Sequence, residues 1–347
     1  MKSSPHILII GQGIAGTLLA WSLLQRGARV QVADGGLPGA SSVAAAGIIN
    51  PVTGKRFVKS WRFETFFPVA RQTYAQMEQA LGLRIWEEKP IVRLLATAEE
   101  ANDWSLRCGL PDYADYLGEL PDAGGWSPFV GREFRFGAIR RAARVHFGPL
   151  LSAFRQHLRT CGLLTERAVE ASEAGVEALL RQYDRVVFCE GYRSAHNPYF
   201  PALPWQIAKG EALILRFADP GAARLTEMLK KTVTLVPLGD GTCWAGGSYQ
   251  WHYPDLNPSA GERDYLLAHL RGMLAAPFEV VGQVAGIRPT VRDRRPLLGE
   301  SPLGRNVFLF NGLGTKGALM GPYWAEHMAA HLLEGLPLDA EVTLSRT

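Results

Sequence analysis

Cysteine is scarce, with four in 347 residues. Cys108, Cys161, Cys189 and Cys243 are scattered, form no CxxC pair and have no histidine at ligand spacing, so they read as structural thiols of a reducing compartment. Apolar runs approaching the roughly 18 residues of a membrane span are missing. Only six residues precede an apolar run at 7–10, which leaves no room for a signal peptide and makes a cytoplasmic protein the expectation. Excess charge of one sign is lacking too: 37 Lys and Arg face 33 Asp and Glu, for a net +4. With the basic residues dispersed, nucleic acid is not a required partner, although an anionic small molecule is permitted. No metal site is expected, because His327 and His331 stand four apart without the glutamate of HExxH, and His146 and His157 have no partner at ligand or triad spacing.

What remains is the composition of a globular protein, 47% hydrophobic and 20% charged. The length suggests two domains or one large discontinuous domain. The most informative stretch is residues 6–34, HILIIGQGIAGTLLAWSLLQRGARVQVAD. Residues 7–10 form the apolar run of a strand buried on both faces. Gly11, Gly13 and Gly16 then give GxGxxG, after which Leu18, Leu19, Leu23 and Leu24 follow helical spacing until Arg26-Gly27. A second strand at 29–33 ends on Asp34. Gly11 permits the tight turn, Gly13 a close backbone approach to a pyrophosphate, and Gly16 helix-strand packing. The helix start at Ile14 and Ala15 offers free N–H groups and a positive dipole. Asp34, 23 residues after Gly11, has the spacing of a carboxylate that accepts hydrogen bonds from an adenosine ribose. An acid there argues against a 2′-phosphate, and hence against NADP.

Downstream, Ser41 and Ser42 supply N-cap or phosphate-binding hydroxyls, and 43–46 are small enough for a helix pressed against a ligand. Lys55, Arg56, Lys59 and Arg62 place four positive charges within eight residues. They read either as a solvated turn or, for Lys55 and Arg56, as a lure for a carboxylate or phosphate. Helices are expected over 66–81, 98–108, 149–159 and 259–275, a strand pair around Lys89-Pro90 in 84–95, and strands over 163–170 and 183–191. Residues 212–217 read as a strand, 232–247 as a hairpin around Gly239 to Gly241, and 307–310 as another buried strand.

Five segments together resemble the D-amino-acid oxidase superfamily of FAD enzymes, which includes glycine and sarcosine oxidases and the oxidase part of a tRNA-modifying enzyme. These are GQGIAG with Asp34, ASSVAAAG at 40–47, CEG at 189–191, GIRP at 286–289 and GLGTKG at 312–317. The resemblance implies an α/β fold: a Rossmann-type FAD-binding domain with a parallel sheet, from residues 1–62, 140–205 and 284–347, and a substrate domain with a mixed or antiparallel sheet, from 63–139 and 206–283. It further implies that Ser41, Ser42, Ala46 and Gly47 pass beside the pyrophosphate and flavin, that the backbone near Ala168 and Val169 reads the adenine edge, and that Gly191 closes the second FAD signature. By the same resemblance Gly312, Gly314, Thr315, Lys316 and Gly317 lie against the pyrimidine end of the flavin, where a helix N-terminus and Lys316 stabilise negative charge on the reduced ring. Arg288 pairs with the substrate carboxylate through two parallel hydrogen bonds, and Trp244 and Tyr249 sit over the flavin. No cysteine occupies the 311–317 loop, so a covalent flavin is not indicated.

The activity implied is oxidation of the C–N bond of an amino acid or secondary amine by hydride transfer to flavin N5. Water then hydrolyses the imine, and oxygen or another acceptor takes the electrons, with release of hydrogen peroxide in the first case. Arg56 or Lys55 would tune substrate charge. The alternatives are an oxidase of a modified tRNA base, a 2-hydroxy-acid oxidoreductase, and a protein that binds FAD without catalysis.

Overall fold

The structure, a computed structural model, describes residues 4–120, 124–219, 221 and 225–346. A six-stranded sheet runs in the order Leu164–Thr165, Arg29–Ala33, His6–Ile10, Arg185–Phe188, Val307–Asn311, Leu297–Glu300. Its first five strands are parallel and the last is antiparallel. Alternation along the first strand explains the continuous apolar run: Ile7 and Ile9 join the core beneath the first helix, while Leu8 and Ile10 join a second core with Val186 and Phe188 on the other face.

The helix Ile14–Gln25 follows the glycine turn and packs against the last long helix, Gly317–Glu334. A Cβ on Gly16 would fall 1.8 Å from the Gly11 carbonyl oxygen, so only glycine lets the helix approach the strand end this closely. Pro322 sits inside the last helix and has no N–H for the carbonyl of Ala318. The buried Tyr74 hydroxyl donates to that carbonyl instead, at 3.1 Å, and so secures the helix start that faces the site.

The second large sheet has eight strands, in the order Phe278–Arg288, Ala208–Phe217, Thr242–Gly246, Thr234–Pro237, Met228–Lys230, Ile91–Leu95, Arg135–Ile139, Leu117–Glu119. All neighbours are antiparallel except Met228–Lys230 with Ile91–Leu95. The expected α/β architecture, a parallel cofactor sheet beside a mixed substrate sheet, is therefore present.

Several elements differ from expectation. The two strands in 84–95 exist but do not pair with each other. Trp86–Glu88 joins a three-stranded sheet with Ala143–Val145 and Ile48–Ile49, whereas Ile91–Leu95 enters the eight-stranded sheet. Lys89-Pro90 is the wrong chemistry for a two-residue hairpin, since proline holds φ negative where the favoured turn needs it positive. The strand in 163–170 shrinks to Leu164–Thr165, the strand in 183–191 to Arg185–Phe188, and the helix in 259–275 to Ala260–Arg271. Helix starts moved upstream in two cases, to Phe63–Leu81 and Phe147–Thr160, while Ala98–Cys108 kept its bounds. Cys108, Cys161, Cys189 and Cys243 are free thiols. Among the described residues no helix is long and apolar enough to cross a membrane.

Candidate active site

The glycine turn stands at one end of the site, just outside the cavity. Gly11 has a left-handed φ of 100°, and its N–H donates to Ala33 O. Ile14 N–H donates to Ser42 Oγ at 3.1 Å, which ties the short helix Ser41–Ala44 to the start of the first long helix. Ala15 and Gly16, next in that first turn, have N–H groups with no intrahelical acceptor. Asp34 stands at the end of the second strand. Its Oδ1 accepts from Gln12 N–H at 3.0 Å, and its Oδ2 from Gly36 N–H at 3.1 Å and Arg155 Nη1 at 2.7 Å. Arg155 comes from the helix Phe147–Thr160 and was not singled out in the sequence, where nothing relates it to Asp34.

From this turn a cavity of about 340 Å³ extends between the two sheets. Ile14, Ser41, Ser42, Ala46 and Gly47 line one side, and Gly314, Thr315, Lys316 and Gly317 another. The eight-stranded sheet closes it with Arg288, Trp244 and Tyr249. Segments more than two hundred residues apart in sequence thus meet at one place. Gly11, Gly13, Ala15, Gly16 and Asp34 surround the helix start outside the cavity lining. Gly312 is buried behind the loop, and Gly191 O accepts from Asn311 Nδ2 at 2.8 Å. Val169 packs on the apolar core beyond the outer strands, while Ala168 abuts Gly35 next to Asp34. Arg56 and Lys55 lie exposed in the turn between Val52–Thr53 and Val58–Lys59 and do not line the cavity. A four-residue turn flanked by two short paired strands points its long polar side chains to water, which is where the structure puts both.

Arg288 ends the edge strand of the large sheet. Its Nη1 donates to Ser248 O at 2.9 Å, and its guanidinium carbon lies 5.0 Å from the Tyr249 ring centroid. Burial holds its pKa below the ordinary arginine value, against the opposing influence of Tyr249. The guanidinium lies over Gly210, where a Cβ would come within 2.0 Å of Nη2. Gly210 is therefore part of the site through its lack of a side chain, a role that needed the pairing of Gly210 with Gly286 to be seen. Trp244 is fixed by its Nε1–H donating to Ala44 O at 2.9 Å, and Tyr249 by its hydroxyl donating to Thr290 Oγ1 at 3.2 Å.

Lys316 precedes the helix Gly317–Glu334, and its Nζ donates to Ser60 Oγ at 2.6 Å. Burial, with Arg294 adding like-charge repulsion, pushes its pKa down to about 8. Lys230 also lines the cavity, and burial together with Arg93 lowers it to about 8 as well. It was missed in the sequence because a lysine in a short strand reads as an exposed edge. One acid lines the cavity among the described residues, Glu211, and it is paired with Lys209 at 3.0 Å. None of Arg288, Lys230 and Lys316 has a carboxylate partner among the described residues, so the cavity is electropositive. His327 Nε2 accepts from Asp339 N–H, and His331 Nδ1 lies 2.7 Å from Leu336 O, so both have structural partners.

These residues fit a flavin adenine dinucleotide: a glycine turn before a helix start, a carboxylate at the second strand, and a second helix start with a lysine beside an electropositive cavity. The fold is that of an FAD-dependent oxidoreductase. The family model described as "DAO: FAD dependent oxidoreductase" matches residues 6–331, and the chain belongs to that family. Among its relatives, the tRNA 5-methylaminomethyl-2-thiouridine biosynthesis bifunctional protein MnmC of Maricaulis maris is 26% identical over 96% of this chain, and glycine oxidase of Bacillus licheniformis is 23% identical over 98% of this chain and 96% of its own. The chain spans 53% of that MnmC, just over half. In fold it is similar to crystal structures of glycine oxidase from Geobacillus kaustophilus (TM-score 0.79, 21% identity, 99% of both chains) and iminodiacetate oxidase (IdaA) from Chelativorans sp. BNC1 (TM-score 0.78, 19% identity, 97% of this chain and 99% of that one).

Proposed function

We propose that the protein oxidises the C–N bond of an amine that carries a carboxylate. The observation that supports this best is Arg288, a partly buried guanidinium with no carboxylate partner among the described residues, facing the same cavity as Lys316 and the 314–317 loop. Bound FAD would supply the two-electron acceptor. Arg288 would hold the carboxylate through the guanidinium edge that Ser248 leaves free, which fixes the orientation of the neighbouring carbon. Trp244 and Tyr249 would exclude water from that carbon. Lys316 and the helix start at Gly317 would favour negative charge on the ring. An amine that arrives neutral needs no separate base, and oxygen would be the final acceptor.

Glycine oxidase and iminodiacetate oxidase, named for such substrates, share this fold. The MnmC relatives supply a second reading, an amine on a tRNA base, whose signature would be tRNA co-purification and salt-dependent binding. Peroxide release from a panel of amino acids, N-methyl amino acids and 2-hydroxy acids tests the first reading. Amines should react, and Arg288→Met should raise KM about tenfold or more, the loss of a charge-assisted contact worth roughly 1.5–3 kcal/mol. Turnover of hydroxy acids alone, or an Arg288→Met variant with unaltered KM, would refute it.

A further inference from the structure

The cavity holds more positive charge than one carboxylate can balance. Arg288 and Lys230 lie on the same face of the eight-stranded sheet, with three strands between theirs. The register shows why: Lys230 is opposite Thr234, Thr234 opposite Gly246, Gly246 opposite Ala212, and Ala212 opposite Val284. Arg288 follows Val284 by four residues, and side chains alternate with a period of two, so both cations face the cavity. The intervening strands line the cavity with Gly210, Glu211, Thr234, Trp244 and Gly247, and the one acid among them, Glu211, is already paired with Lys209.

Lys230 is unsatisfied in a specific way. Its Nζ has one hydrogen-bond partner among the described residues, Thr234 Oγ1 at 3.1 Å. Its neighbour across the strand pair is another cation, Arg93, which is itself paired with Glu100 at 3.1 Å and also donates to Lys231 O. Arg93 therefore adds repulsion instead of relief. A partly buried ammonium in this position is costly without an anion beside it. With a pKa near 8 it remains mainly charged at neutral pH.

We infer that the substrate is an amine with two acidic groups, one held by Arg288 and the other by Lys230 and Thr234 at the opposite end of the cavity. This rests on the proposed amine oxidation and narrows its substrate class to dicarboxylic amino acids and N-carboxyalkyl amino acids. A monocarboxylic amine would leave Lys230 unpaired, so the lysine acts as a specificity determinant and not as a catalytic residue.

Two measurements on the FAD-loaded full chain decide it. In the first, kcat and KM are compared for glycine, sarcosine, iminodiacetate, aspartate and glutamate, in the wild type, Lys230→Met and Lys230→Arg. At least one diacid should have a KM about tenfold or more below that of its monoacid counterpart. Lys230→Met should erase that advantage, raising the KM for the diacid far more than that for the monoacid, and Lys230→Arg should retain most of it. In the second, oxydiacetate, a diacid with no amine to oxidise, is titrated by calorimetry. It should bind the wild type and Lys230→Arg, and bind Lys230→Met at least tenfold more weakly. Equal loss for monoacids and diacids, or oxydiacetate binding indifferent to Lys230, would overturn the inference. If no amine is oxidised yet oxydiacetate binding still depends on Lys230, the oxidase reading fails while the two-anion site stands.

Discussion

Lys316 should cost the folded protein stability, and replacing it with methionine should reveal how much. Burial and Arg294 lower its pKa from 10.5 to about 8. Each unit is worth about 1.4 kcal/mol, so keeping the ammonium charged in the folded chain costs about 3 kcal/mol. Methionine has a similar length and no charge. It also removes the bond to Ser60, worth about 1 kcal/mol, which leaves a net gain of about 2 kcal/mol near neutral pH. The sign follows from linkage: below about pH 8 both folded and unfolded chains bind the proton and the full penalty applies. Between about 8 and 10.5 the unfolded chain alone binds it, so wild-type stability rises with pH and the advantage of the variant fades. Urea unfolding of the FAD-free proteins at about pH 7 and about pH 10 measures the difference. The same substitution should lower the reduction potential of bound flavin, because a cation favouring the reduced ring is gone. A Lys316→Met protein no more stable than the wild type at neutral pH would show that this lysine is well solvated and would refute the reasoning.

Three further substitutions probe the geometry. Gly16→Ala places a methyl 1.8 Å from the Gly11 carbonyl oxygen, so the purified variant should be destabilised and colourless, checked by circular dichroism and flavin absorbance. Gly210→Ala drives the Arg288 guanidinium from its seat, and KM for a carboxylate amine should rise as far as it does in Arg288→Met, with FAD content unchanged. Arg56→Ala should leave kcat/KM within about twofold, since Arg56 is exposed outside the cavity. A larger loss would restore it to the site.

The parts legible in the sequence are those written locally. The turn from Gly11 to Gly16 needs no distant partner to be recognised, because strand, glycines, helix and Asp34 lie within thirty residues of one another. The 314–317 loop is similar, a glycine pattern between a buried strand and a helix. Arg288 could be named because it sits in GIRP. Gly210 and Lys230, by contrast, owe their roles to strand pairing: one is a bare floor under a guanidinium from the next strand, the other a charge facing the cavity across a sheet. Arg155 reaches Asp34 across 121 residues, a pairing no local pattern encodes. Arg56 shows the limit in the opposite direction. Its charge suggested recruitment of an anion, but the hairpin turn that carries it faces water. Around Lys89-Pro90, adjacency was taken for pairing, and the proline sends the two strands into different sheets.

The most direct test of the account is anaerobic mixing of the FAD-loaded protein with carboxylate-bearing amines while flavin absorbance is followed. The account expects the oxidised flavin band to bleach with at least one such amine and to return when oxygen is admitted, with peroxide formed. A yellow protein whose band none of these amines bleaches would contradict it.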